Sequence, residues 1–175
     1  MLRSDQILEA EPEAFASTQD EVRGSYIGLI AIVAAITMLF AALSSAYIVR
    51  RGLSSDWTPV GLPHVVWASP LALILGSAML ERRRGRVAAR IMPAVLGLIT
   101  GLIIVESWRE LAKVGVSAAS NAGAAFFYVF SAGFLICLTG GVVALLRSGS
   151  RIRDLYWHYL SGLWSWLLLL MKVWQ

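Results

Sequence analysis

The chain has 175 residues, 58% of them hydrophobic, and a formal net charge of +4. One soluble domain of this length cannot bury so much apolar surface, so the composition excludes a water-soluble globular protein and predicts lipid as the solvent. Lysine and arginine lie mainly at the ends of apolar runs. That distribution argues against a nucleic-acid partner and is typical of loops that face anionic membrane surfaces.

Residues 1–25 are polar and acidic. The charged side chains are Asp5, Glu9, Glu11, Glu13, Asp20 and Glu21 against Arg3 and Arg23. A secretory signal begins instead with basic residues and an immediate apolar core, so we predict a tail that remains in the mature protein. Two alternatives for the tail stay open, a short surface helix over about 6–15 and disorder.

Five apolar runs follow, each close to the roughly 20 residues that a helix needs to cross the hydrocarbon core. They cover about residues 26–49, 64–80, 89–111, 121–146 and 155–173. Strands are excluded because open sheet edges stay unsatisfied in lipid and the runs lack the alternation of a membrane barrel. The sequence therefore predicts an all-α, polytopic membrane protein, with a five-helix transmembrane domain over residues 26–175.

The basic residues predict how this domain lies in the membrane. The N-terminal side of the predicted topology holds ten Lys and Arg residues and the other side five. The positive-inside rule therefore predicts a cytoplasmic N-terminus and an outside C-terminus. The densest cluster follows the second run and consists of Arg82, Arg83, Arg84, Arg86 and Arg90. These arginines are candidates for contact with lipid headgroups, although topology alone explains them.

Ionisable groups avoid the centres of the five runs, whereas transporters and proton pumps generally place one near the midplane. Glu106, near the end of the third run, is interpreted as an interfacial group paired with Arg109; a place on an ion path is the alternative. His64 and His158 open runs on opposite sides, too far apart to share a haem or metal. Cys137 is interpreted as a small core residue. We therefore predict no catalytic residue, cofactor site or metal site in this chain.

Small residues and tryptophans instead indicate helix packing. Gly97 and Gly101 form a GxxxG motif in the third run. The fourth run carries Gly123, Ala132, Gly133, Gly140 and Gly141, and the fifth carries Trp157, Trp164 and Trp166, with Trp174 just beyond it. These features predict a subunit that holds other subunits or lipids, with packing inside a monomeric bundle as the alternative.

Five short motifs occur in a fixed order along the runs. They are the segment from Met38 to Tyr47 with Phe40 in it, Leu62-Pro63 with Trp67, Glu106-Ser107-Trp108, Phe126-Phe127-Tyr128 followed by Gly140-Gly141, and Tyr156-Trp157-His158-Tyr159 followed by Trp164. In this order and spacing they resemble segments of subunit III of the haem–copper oxidases. The resemblance covers about residues 26–174.

The sequence departs from that family at its internal polar positions. Ile36 stands where the family usually has a Glu, Phe134 and Cys137 stand where it has histidines, and Ser161 stands where it has an Asp. The resemblance therefore implies a divergent, five-helix form, and it does not extend to roles tied to the missing Glu, such as support of proton uptake.

The resemblance implies a non-catalytic subunit of a respiratory terminal oxidase in the cytoplasmic (inner) membrane of a prokaryote. Such a subunit stabilises catalytic subunit I, beside subunit II, while electrons from cytochrome c or quinol reduce oxygen and protons are translocated. Haem and copper then belong to the partner subunits, and phospholipid is held between helices. The alternatives are an accessory subunit of a nitric oxide reductase or another respiratory supercomplex and, more distantly, an independent scaffold or small transporter.

Overall fold

The computed structural model describes residues 4–53, 57–58, 60–82, 88–147 and 151–174. These residues form five α-helices and one short 3₁₀ helix, and they contain no strand, so the predicted all-α class is confirmed. The helices are α1 (Ser4–Leu53), the 3₁₀ helix (His64–Trp67), α2 (Ala68–Arg82), α3 (Ala88–Lys113), α4 (Ala122–Arg147) and α5 (Arg151–Val173).

The chain divides into two compact units, Met1–Thr37 and Met38–Gln175. The first unit contains the beginning of α1, so the segment 6–15, predicted as either a short helix or disordered, is helical here. In the same unit the Thr37 hydroxyl donates a hydrogen bond to the Val33 carbonyl at 2.7 Å.

Four helical segments are long and apolar enough to cross a membrane. They are Tyr26–Leu53, His64–Arg82, Ile91–Lys113 and Ala122–Leu145. They make the chain a multi-pass membrane protein. Helix α5 is not among these four, although its 23 residues span about 35 Å, because its Trp, Tyr, Ser and His residues lower its average hydropathy. The fifth transmembrane span therefore stays a prediction.

Helices α2 to α5 form a closed arrangement in which each helix has two neighbours. Helix α2 packs against α3 and α5, and α4 also packs against α3 and α5. The side chains at the centre are large and fully enclosed: Leu73, Ile104, Phe134 and Trp157 are each 0% exposed. Since lipid is as apolar as these side chains, the helices are held by close van der Waals packing and by hydrogen bonds between them.

Glycines make this close packing possible at the centre of the arrangement. A Cβ on Gly97 would lie 2.7 Å from Cη2 of Trp157 and 2.9 Å from Cγ2 of Val142. A Cβ on Gly76 would lie 3.1 Å from Nε1 of the same indole. Trp157 of α5 is therefore seated against the bare backbone of both α2 and α3. The second glycine of the GxxxG motif, Gly101, is less crowded, with Cδ2 of Leu135 at 3.7 Å.

Candidate functional site

The residues that carry the subunit III resemblance separate by exposure. Phe40, Tyr47, Phe127, Gly141, Trp157 and Trp164 are buried; Pro63, Trp67, Trp108, Tyr128 and Tyr156 are partly buried; Met38, Gly140 and His158 are exposed. They form no single pocket: the buried and partly buried ones are distributed along contacts between helices, and the exposed ones lie on the outer surface. The candidate site is therefore a set of packing contacts and the outer surfaces that these contacts hold in place.

One set of contacts attaches the end of α1 to α4. Tyr47 packs edge-on against Phe126 with ring centroids 5.4 Å apart, and edge-on against Trp57 at 5.3 Å. Phe40 stacks on Phe130 at 6.4 Å. Aromatic pairs of this kind contribute about 0.5–1.5 kcal/mol beyond the area that they bury. The motif residues Phe40 and Tyr47 thus hold the end of α1 against α4.

A second set fixes the hairpin between α3 and α4. The Trp108 indole donates to Oγ of Ser131 at 2.8 Å, and Ser131 in turn donates to the Phe127 carbonyl at 2.6 Å. The Tyr128 hydroxyl donates to the Val116 carbonyl in the connecting turn at 3.2 Å. The motif residues Trp108, Phe127 and Tyr128 therefore act together, through a serine that the sequence analysis did not single out.

A third set connects α5 to α2. The Trp164 indole donates to Oγ of Ser69 at 2.7 Å, and Ser69 donates to the Val66 carbonyl. One turn of α5 earlier, the hydroxyls of Ser77 and Ser161 share a hydrogen bond of 2.9 Å. Sequence reasoning missed Ser69 and Ser77. The available signal was their position as small polar residues inside an apolar run, where such side chains commonly bond to a neighbouring helix.

The positions that depart from the family also contribute to packing. Phe134 stacks on Trp164, with centroids 4.4 Å apart and an interplanar angle of 20°. Cys137 is a free cysteine whose backbone carbonyl accepts a hydrogen bond from the Tyr156 hydroxyl at 3.0 Å. Ser161 is bonded to α2. Three of the four positions that depart from the subunit III pattern therefore take part in contacts between α5 and its neighbouring helices. At Phe134 and Ser161 the side chain makes the contact, and at Cys137 the backbone carbonyl makes it.

The ends of α1 and α5 also meet. The guanidinium carbon of Arg51 lies 5.5 Å from the ring centroid of Trp174, a cation–π distance. Helix α5 begins beside the end of α4, from which only residues 148–150 separate it. Helix α5 therefore runs along the whole length of the arrangement formed by α2 to α5.

Two basic side chains pair with Glu106 near the end of α3. Nη1 of Arg109 is 3.3 Å from Oε2 of Glu106, which confirms the predicted ion pair, and Nζ of Lys113 is 3.8 Å from Oε1. His64 and His158 are both exposed. Within the described ranges, no group of three or more His, Cys, Asp or Glu is placed to hold a metal ion. The assignment of haem and copper to other chains stays a prediction.

The arginine cluster falls only partly within the described residues. Arg83, Arg84 and Arg86 lie outside them, whereas Arg82 ends α2 with an exposed side chain and Arg90 belongs to the first turn of α3. Contact of this cluster with lipid headgroups stays a prediction.

No model of a known protein family matches the chain. The chain is similar to a cytochrome c oxidase subunit 3. That protein, from Synechocystis sp., is 23% identical over an alignment of 173 positions. The alignment covers 82% of this chain and 73% of the relative. It therefore extends over most of the chain, and it supports the resemblance found in the motifs. The divergent five-helix form stays a prediction.

Proposed function

We propose that this chain is a non-catalytic, subunit III-like component of a respiratory haem–copper terminal oxidase. The observation that carries the proposal is the similarity to a cytochrome c oxidase subunit 3 along most of the chain. It is supported by the motif residues Tyr47, Trp108 and Trp164, which lie in separate contacts between helices. Electrons from cytochrome c or quinol then reduce oxygen on haem and copper of partner subunits I and II, coupled to proton translocation.

The proposal includes five transmembrane spans in a prokaryotic inner membrane, with the N-terminus in the cytoplasm. Helix α5 supports this count, since Trp164 and Ser161 direct their polar atoms to α2 rather than to lipid. The Arg51–Trp174 contact places the residue that follows α5 beside the end of α1. Polar groups satisfied in this way lower the cost of placing the helix in the hydrocarbon core.

The surface that we propose for docking on the catalytic subunit is the outer face of α1. In the part of α1 that belongs to the second unit, Leu39 is 53% exposed and Leu53 is 82% exposed. Met38 is 73% exposed and Val49 54% exposed, and the intervening Ala42 and Ala46 are exposed small residues. Small residues let a neighbouring helix approach closely, which is how helices associate in lipid.

The test is purification of the tagged chain from its native membrane in mild detergent. We expect haem-bearing chains to co-isolate and the preparation to consume oxygen with cytochrome c or quinol as the donor. A haem-free homo-oligomer would defeat the proposal and favour an independent scaffold. A haem-bearing complex that reduces nitric oxide instead of oxygen would favour the reductase alternative.

A further inference from the structure

The end of α1 carries two consecutive arginines on the side of the membrane that the proposed topology places outside. Arg50 is exposed and Arg51 is partly buried, and both belong to the last turn of the helix. The positive-inside rule disfavours Lys and Arg at this place, so membrane orientation does not account for the pair. The helix macrodipole favours positive charge at a C-terminus, but it does not fix the position of either side chain. The use of these arginines therefore depends on what surrounds them.

Arg51 is held at the junction of α1 and α5. Its guanidinium carbon lies 5.5 Å from the ring centroid of Trp174, which is 36% exposed. A cation–π contact occupies the face of a guanidinium, whereas the N–H groups point outward in its plane. In that plane a guanidinium matches a carboxylate, which accepts two parallel hydrogen bonds. The contact with Trp174 therefore orients Arg51 for a planar anion.

A second hydrogen-bond donor lies beside the same part of α1. Trp57 packs edge-on against Tyr47, which is one helical turn before Arg51 on the same face of α1. The loop that carries Trp57 rests on the start of α4, since the Thr58 carbonyl lies 3.2 Å from a Cβ built on Gly123. Nε1 of Trp57 is buried and has no hydrogen-bond acceptor among the described residues. A buried donor without an acceptor is unfavourable, so an acceptor brought to this place stabilises the assembly.

The surface around this junction carries an excess of positive charge. The end of α3 lies on the same side, since only residues 114–121 separate it from the start of α4. One carboxylate there, on Glu106, is matched by two exposed cations. The described residues of this side are basic at Arg50, Arg51, Arg109, Lys113 and Lys172 and acidic at Glu106 and Glu110. Such an excess attracts acidic partners and repels basic ones.

The junction continues the face of α1 assigned above to docking on the catalytic subunit. Arg50 follows Ala42 and Ala46 at successive intervals of four residues, so it lies on their face of the helix. A subunit docked along this face therefore brings its outer segment to Arg51 and Trp57. A side chain on a docked segment is already held in place and reaches a buried N–H at a lower cost in entropy than a mobile headgroup.

We propose that the outer ends of α1 and α5 form a docking site for an acidic segment of a neighbouring subunit, with one carboxylate that accepts hydrogen bonds from Arg51 and from Nε1 of Trp57. The inference rests on the proposed function for the membrane orientation and for the existence of partner subunits. It deepens that function by naming the chemistry of the contact outside the membrane. The competing acceptors are an anionic lipid headgroup and Asp56 of this chain, which lies outside the described residues.

The first test introduces an amine at the site. The tagged chain with Arg51→Lys is purified with its partners and treated with a water-soluble carbodiimide, which joins an amine to a carboxylate in direct contact. We expect mass spectrometry to find position 51 joined to an Asp or Glu of another chain. Arg109→Lys is the matched control, because Glu106 of this chain lies beside it and should take the cross-link. Position 51 joined only to Asp56, or to no polypeptide carboxylate, would overturn the proposal.

The second test exchanges the charges. Arg51→Glu should lower the yield of co-purified partner chains by about tenfold or more, because two carboxylates then face each other. Replacement of the cross-linked partner carboxylate by lysine should restore most of that yield. Arg109→Glu is the control and should change the yield little, since its side chain is 71% exposed at the end of α3. Failure of the exchange to restore the yield of a folded Arg51→Glu chain would contradict the proposal.

A third variant, Trp57→Phe, tests the indole donor alone. It keeps a ring against Tyr47 and removes Nε1, so the isolated chain should stay as stable while the yield of partner chains falls several-fold. Trp166→Phe is the control, since this tryptophan of α5 is 58% exposed, and it should leave the yield unchanged. An unchanged yield with Trp57→Phe would contradict the proposed contact.

Haem content separates this inference from the proposed function. It is measured on each cross-linked preparation. Haem-bearing partners that are not joined to position 51 refute the docking site alone. A cross-link to an acidic segment in a complex without haem refutes the proposed function alone.

Discussion

Helices α1 and α5 combine hydropathy and burial in opposite ways. The apolar segment of α1 is suited to cross a membrane by composition, yet in the part of it that belongs to the second unit Met38 is 73% exposed and Val49 is 54% exposed. Helix α5 does not qualify by composition, yet Trp157 and Leu160 are 0% exposed and Trp164 is 1% exposed. The polar atoms of Trp164 and Ser161 on α5 are bonded to α2, whereas the buried Nε1 of Trp157 has no hydrogen-bond partner among the described residues. Polar side chains that bond to a neighbouring helix are tolerated in lipid, whereas a helix with an open face must be apolar throughout. The predictions below test this difference.

The largest effect is expected at Trp164. Trp164→Ala removes the hydrogen bond to Ser69 and the stack on Phe134, and it leaves a large cavity between α5 and its neighbours. We expect a loss of about 3–5 kcal/mol in unfolding free energy, measured by denaturant titration in mixed micelles. Trp166→Ala on the same helix is the control, since this tryptophan is 58% exposed, and it should change the stability little. Equal effects of the two variants would mean that α5 is not held as described.

Substitutions at two adjacent glycines of α4, Gly140 and Gly141, should distinguish an effect on the stability of the chain from an effect on its assembly with partners. A Cβ on Gly141 would lie 2.9 Å from Cδ1 of Leu160, so Gly141→Leu should destabilise the chain itself by about 1–3 kcal/mol or more. No described atom lies within 4 Å of a Cβ built on Gly140, so Gly140→Leu should leave chain stability unchanged and lower the yield of the assembled complex. An unchanged complex yield would count against close packing of a partner at Gly140.

A smaller effect is expected at the serine pair between α2 and α5. Ser77→Ala and Ser161→Ala each remove one side of a 2.9 Å hydrogen bond. The coupling energy from the double-mutant cycle should be about 0.6 kcal/mol, the usual size for a polar contact between membrane helices. Strictly additive effects would show that this bond does not help to hold α5.

The smallest effect is expected at Glu106. Its side chain is 41% exposed and its partners Arg109 and Lys113 are each 71% exposed, so solvent and salt weaken these ion pairs. Glu106→Gln should change the stability by less than about 1 kcal/mol and leave oxygen consumption and proton translocation by the complex unchanged. A loss of proton translocation would favour the alternative in which Glu106 lies on an ion path.

The all-α class followed from the apolar runs, because nothing but helices satisfies the backbone of continuous apolar segments in lipid. The sequence also placed Trp108, Tyr128 and Trp164 among the residues that matter, through the order of the motifs. It could not predict their partners. Ser131 and Ser69 are small polar residues like many others in the runs, and only the helix arrangement shows which of them face an indole.

A groove of about 580 Å³ between α3 and α4 could not be predicted either. The GxxxG motif indicated a close helix contact, and Gly97 makes one with Trp157 and Val142. Gly101 has Leu135 at 3.7 Å and lines open space instead. Both glycines line the groove, and Gly97 in addition packs closely against Trp157 and Val142, a difference that depends on side chains distant in sequence.

The most direct measurement is the haem and copper content of this chain after it is separated from a complex purified through its own tag. The account predicts an intact complex with the absorption spectrum of a haem–copper oxidase, from which the isolated chain emerges without haem or copper while the partners retain both. Haem or metal retained by the isolated, folded chain would contradict it.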